Sequence, residues 1–73
     1  MNVERFRQLL REVVQETKAD SRASEAERVI ATILLAKIGQ LDPDATLAFL
    51  DTFKDASVSM RGKVRAKLMK APR

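Results

Sequence analysis

Cysteine and histidine are both absent from the 73 residues. Their absence removes disulfide staples, thiolate nucleophiles, the usual zinc ligands and the base of an ordinary serine triad. Tryptophan and tyrosine are missing too, leaving three phenylalanines, which is little for stacking on unpaired bases. With glycine only at positions 39 and 62, no glycine-rich loop is available to cradle a phosphate. The apolar run Val29–Ile38 is too short to cross a bilayer, and Met1-Asn2-Val3-Glu4-Arg5 leads into no signal-like region. These exclusions point to one small domain over residues 1–70 with a flexible end at 71–73, held together by packing without a metal or cofactor. The expected setting is a reducing cytoplasm, with no membrane partner.

Acid is the next thing in short supply, and only in one place. Through Asp55 there are eight Lys/Arg and ten Asp/Glu, a balance of −2; after it there are six Lys/Arg and no acid, a balance of +6. A basic tail on a slightly acidic body favours a polyanionic or acidic partner at that end, with simple solubilisation as the alternative.

What is present reads as helix. Asn2 can cap a first helix, about 3–18, in which Val3, Phe6, Leu9, Leu10, Val13, Val14 and Thr17 share an arc of roughly 140°. Arg7 and Arg11 stand four apart on its flank, either as a solvated face or as a second basic patch. Ser24-Glu25-Ala26-Glu27 forms a capping box for a second helix, about 25–38, which is apolar nearly all round and so is expected at the centre of the bundle. Gly39 should stop it in the left-handed conformation. Leu41 should then enter the core. Asp42-Pro43-Asp44 opens a third helix, about 43–54, with aspartate at the cap and proline at N1. Its buried face is Leu47, Leu50 and Phe53, with Phe49 at the edge. Its outer line of Asp44, Asp51 and Asp55 spreads over three turns and cannot close around a single cation.

Residues 57–68, Ser-Val-Ser-Met-Arg-Gly-Lys-Val-Arg-Ala-Lys-Leu, alternate with the period of a strand. Yet Met60, Val64 and Leu68 also step by four, and a lone strand would leave its amides unpaired. The segment therefore reads as a fourth helix, about 58–69, capped by Asp55, Ser57 or Ser59 and weakened at Gly62 by about 1 kcal/mol. The expected architecture is an all-α bundle of four short helices, with the fourth held least firmly.

With carboxylates on caps and polar faces, the inventory argues against an enzyme and for binding. Charge and periodicity select Arg61, Lys63, Arg65, Lys67 and Lys70, with Arg7 and Arg11, as partner-binding residues; Phe49, Val58 and Met69 are candidate apolar anchors. Helices three and four also suggest a helix-turn-helix repressor reading DNA through 58–70. Against that stand the acidic line on helix three, the glycine inside the reading helix and a spacing one residue too long. Taken from Met1-Asn2-Val3-Glu4-Arg5-Phe6-Arg7-Gln8-Leu9-Leu10 to Arg65-Ala66-Lys67-Leu68-Met69-Lys70, the chain resembles the compact phage antitermination proteins that bind host RNA polymerase. The likeness is one of size and general character across the whole chain. It implies a non-catalytic protein bound near the N-terminal part of the polymerase β′ subunit, with a Nus factor as a further partner. Such a protein would inhibit initiation, let elongation pass terminators, and hold its basic end near the nascent RNA. Inhibition of another host machine, such as a nuclease complex, is a third reading.

Overall fold

The computed structural model describes residues 2–70, so the expected flexible end at 71–73 lies outside the described residues. Four α-helices form one bundle: α1 (Val3–Ala19), α2 (Glu25–Lys37), α3 (Pro43–Asp51) and α4 (Val58–Lys70). No strand occurs among the described residues. None of their helices is long and apolar enough to cross a membrane.

The starts of α1, α2 and α3 follow from their capping chemistry. Asn2 Oδ1 accepts the amides of Glu4 and Arg5 at 2.7 and 3.3 Å. Ser24 and Glu27 complete both halves of the capping box, and Asp42 Oδ1 accepts the Ala45 amide at 2.7 Å with Pro43 at the first helical position. These contacts satisfy amide donors that a helix leaves orphaned at its start.

The centre of the bundle differs from expectation. Helix α1 buries Phe6, Leu9, Leu10, Val13, Val14 and Thr17, and packs against both α2 and α4. Helix α2 buries only Ile30, Ala31 and Leu34, while Val29 and Leu35 are 52% and 38% exposed. An all-round apolar helix needs neighbours on every side, and three other short helices do not provide them. So α1, with its clean amphipathic arc, takes the middle position, and α2 keeps an apolar surface.

Two helix ends also depart from the sequence reading. Gly39 is not left-handed; α2 instead tightens into a 3-10 turn over Ile38–Gln40, and the chain leaves extended at Leu41. The tighter turn satisfies a terminal carbonyl without a positive φ. The left-handed residue is Lys54, at φ 50°. Helix α3 stops at Asp51 rather than near 54, because Thr52 Oγ1 donates to the Phe49 carbonyl at 2.6 Å and the Phe53 amide takes the Leu50 carbonyl at 3.1 Å. A second 3-10 turn, Lys54–Ser57, then leads directly into α4.

Met60 and Val64 of α4 are buried and Leu68 is partly so, so the four-residue step prevails over the two-residue alternation. Leu41 and Leu50 are buried with them, while Leu47, Phe49 and Phe53 cover the core edge. Phe49 and Phe53 meet edge to face at 5.1 Å, and the Lys37 ammonium stands 5.4 Å above the Phe49 ring.

A Cβ at Gly62 would meet nothing within 4 Å. Gly62→Ala should therefore raise stability by about 1 kcal/mol, seen as a higher denaturation midpoint at unchanged slope. On α2, Leu34→Ala should cost about 2–5 kcal/mol and Val29→Ser less than about 0.5 kcal/mol. Similar losses at the two sites would return α2 to the centre of the core.

Candidate functional site

The seven cations selected from the sequence divide into two groups that do different work. The first group holds the fold. Arg61 uses all three guanidinium nitrogens: Nη1 donates to Asp51 Oδ1 at 2.9 Å, Nη2 to the Lys54 carbonyl at 2.7 Å and Nε to Ser57 Oγ at 3.1 Å. Its side chain is only 16% exposed. Buried Ser57 lies within bonding distance of the Leu50 and Lys54 carbonyls. It therefore ties the turn together rather than capping α4. Arg61 and Ser57 converge on the carbonyl of left-handed Lys54, which is how a locally costly conformation is kept in place.

Lys67 performs the same service at the other end of α4. Its ammonium lies 3.0 Å from Glu16 Oε1 and 3.5 Å from Glu12 Oε2, both on α1. The hydrogen bond to Glu16, helped by the two negative charges, raises the Lys67 pKa above the ordinary 10.5. Arg7 joins α1 to the end of α2: Nη2 donates to the Gly39 carbonyl at 2.8 Å and Nη1 to Glu4 at 3.2 Å. Its Nε is buried without a partner. These three residues, expected from the sequence to bind a partner, are each engaged within the chain.

Lys63, Arg65, Lys70 and Arg11 form no ion pair within 4 Å among the described residues. Lys63 and Lys70 flank Lys67 along a shallow depression of about 200 Å3, with Glu16 and Ala66. The Lys63 charge also reaches Asp20, whose pKa is lowered first by the Arg22 amide and then, more weakly, by the nearby cations. Arg65 lies on the other flank of α4, one turn beyond Arg61. Arg11 is not part of this set. It shares the α1 flank of Arg7, which faces α2, whereas Glu12 and Glu16 mark the flank that faces α4. The seven residues therefore do not make one patch.

Between the free cations, α4 presents an apolar outer side. Val58 and Met69 are 56% and 87% exposed. Phe49, the third anchor expected from the sequence, is instead half-buried against Phe53. The sequence reading missed a second apolar feature, an open groove of about 400 Å3 lined by Glu25, Ala26, Val29, Ile30, Phe53 and Ala56. The signal for it was there: too many apolar residues on α2 for the number of helices available to cover them. Asp51 of the acidic line on α3 is engaged by Arg61, and no group of three or more acidic residues suited to a metal ion occurs among the described residues.

No protein-family model, curated protein or solved structure matches the chain.

Because the Lys67 pKa is raised on folding, its contribution to stability is complete below about 10.5 and is lost as pH rises through the folded-state value. Lys67→Met should lower stability by about 0.5–1 kcal/mol at neutral pH. The gap between parent and variant should close above that value in pH-dependent denaturation. A gap that persisted at high pH would mean that Lys67 acts through its aliphatic stem.

Proposed function

We propose that the protein is a non-catalytic regulator that occupies a surface of host bacterial RNA polymerase, inhibiting initiation and allowing elongation to pass terminators. The observation that carries the binding reading is the division of labour on α4. Arg61 and Lys67 fasten the helix to the bundle, while exposed Arg65 and Lys70 have no ion pair and share the helix with exposed Val58 and Met69. Exposed apolar side chains next to arginine and lysine on a fixed element are the ingredients of a docking surface. The choice of polymerase rests on the whole-chain resemblance to compact phage antitermination proteins. In this reading the partner surface lies near the N-terminal part of β′, a Nus factor assists, and the spare cations of α4 sit close to nucleic acid.

Purified polymerase tests this directly. The parent should bind, reduce promoter-dependent initiation and increase read-through in a single-round assay. Arg65→Glu with Lys70→Glu should lose at least about tenfold in affinity, equivalent to about 1.4 kcal/mol. Arg11→Glu, on the other side of the bundle, should bind as the parent does. Absence of polymerase binding by the parent would remove the proposal.

The three α4 cations without an ion pair also favour a second reading, direct binding to duplex DNA by α3 and α4. Arg61, a reading residue in that scheme, is tied to Asp51, Ser57 and Lys54. Three phosphate contacts by Lys63, Arg65 and Lys70 predict a slope of about −2.7 for log affinity against log salt. A titration of random duplex with that slope and tight binding would favour the repressor.

A further inference from the structure

On a wheel of 100° per residue, Val58, Gly62 and Met69 lie within about 40° of one line, with Ala66 about 40° further round. That line is on the far side of α4 from buried Met60 and Val64. From Val58 to Met69 it extends about 16 Å. Its ends are the exposed Val58 and Met69 side chains, and between them is open space at Gly62. Arg65 borders it on one side, about 20° from Val58, and Lys70 stands on the other, about 40° beyond Ala66, while half-buried Lys63 turns further toward α1. Helix α4 has five cations and no acid, of which Arg61 and Lys67 are paired within the chain.

We propose that the outer face of α4 docks an acidic amphipathic helix of a partner protein, which crosses at Gly62, packs apolar side chains between Val58 and Met69, and sets carboxylates against Arg65 and Lys70. Charge complementarity selects this occupant. The α4 helix of a second copy would bring the same cations against one another, a like-charge cost that a symmetric pair cannot avoid. A nucleic-acid backbone would use the cations and leave Val58 and Met69 without a role. An anionic bilayer requires a broader apolar face, rich in Leu, Phe or Trp. A helix fits because a low point between two raised side chains receives the ridge of a neighbouring helix, and the missing side chain at position 62 lets the axes approach.

The inference rests on the reading of this protein as a binding module, and its test does not require polymerase. The full-length chain, isotope-labelled, is titrated with a synthetic helix of about 20 residues carrying a Leu/Ala seam bordered by glutamates. Parallel titrations use the same peptide with lysines for glutamates, a random DNA duplex, and vesicles of mixed phosphatidylserine and phosphatidylcholine. The expected result is amide shifts confined to 58–70 with the glutamate peptide alone. Arg65→Glu with Lys70→Glu should weaken that binding about tenfold. Gly62→Gln should weaken it as much while raising the melting temperature, since the added side chain meets no internal neighbour and glutamine is the better helix former. A fold that is stabilised while binding is lost separates docking from structure.

The inference is overturned if the glutamate peptide produces no shifts, or shifts elsewhere such as the Val29 groove. Equal binding of the lysine peptide overturns it, as does unimpaired binding by Gly62→Gln. A stronger response to duplex or vesicles on the same face assigns α4 to those partners instead. If the glutamate peptide binds as expected but polymerase does not, the α4 face stands and only the polymerase assignment falls.

Discussion

The apolar arc of α1 has to be covered from two sides, and the rest of the fold is the solution to that requirement. Phe6, Leu10, Val13, Val14 and Thr17 are essentially inaccessible to water, in a chain that has no disulfide to limit its unfolded state. Helix α2 covers one side and α4 the other, with α3 and its flanking turns closing the end. Burial of this kind is the main favourable term in a small domain, and it needs all four helices at once. The helices that cover α1 are left with sides of their own that nothing covers. The exposed residues of α2 and α4 are a consequence of how few elements the chain contains.

Charge then determines which parts of this arrangement are fixed. Arg61 closes the corner between α3 and α4, Lys67 clasps α4 to α1, and Arg7 ties the start of α1 to the turn after α2. Each links segments distant in sequence, and each is shielded enough from solvent to hold its geometry. Exposed ion pairs contribute little individually, but Arg7 and Arg61 also donate to the backbone carbonyls of Gly39 and Lys54 at the turns. The basic C-terminal segment is thus both a structural element and a charged surface, with the two roles given to different residues on different flanks of one helix.

Much of the architecture was readable from local chemistry. Asn2, the Ser24–Glu27 box and Asp42-Pro43 placed the helix starts because a cap depends on a few neighbouring residues. The amphipathic arc of α1 and the four-residue step of Met60 and Val64 were equally visible. What escaped depended on residues far apart in the chain. The all-round hydrophobicity of α2 suggested a central position, but position is settled by how many neighbours exist, and Val29 and Leu35 remain outside. Gly39 suggested a left-handed stop, yet a 3-10 turn met the same need and left its carbonyl for Arg7. Lys54 takes the left-handed conformation that its residue type would not suggest, because Arg61 and Ser57 hold its carbonyl. Of the candidate site, charge sign and helical face identified the segment. They could not separate Arg61 and Lys67 from Lys63, Arg65 and Lys70, because the difference lies in carboxylates and carbonyls brought near only by folding.

The central claim is that α4 belongs to the cooperative core, fastened at both ends, with one side left for docking. Native-state amide hydrogen exchange of the full chain tests this most directly. The account predicts that interior amides of α4, around Val64, open with the same free energy as those of α1 around Val13 and Val14. Exchange of the α4 amides at nearly unprotected rates, while α1 and α2 stay protected, would contradict it.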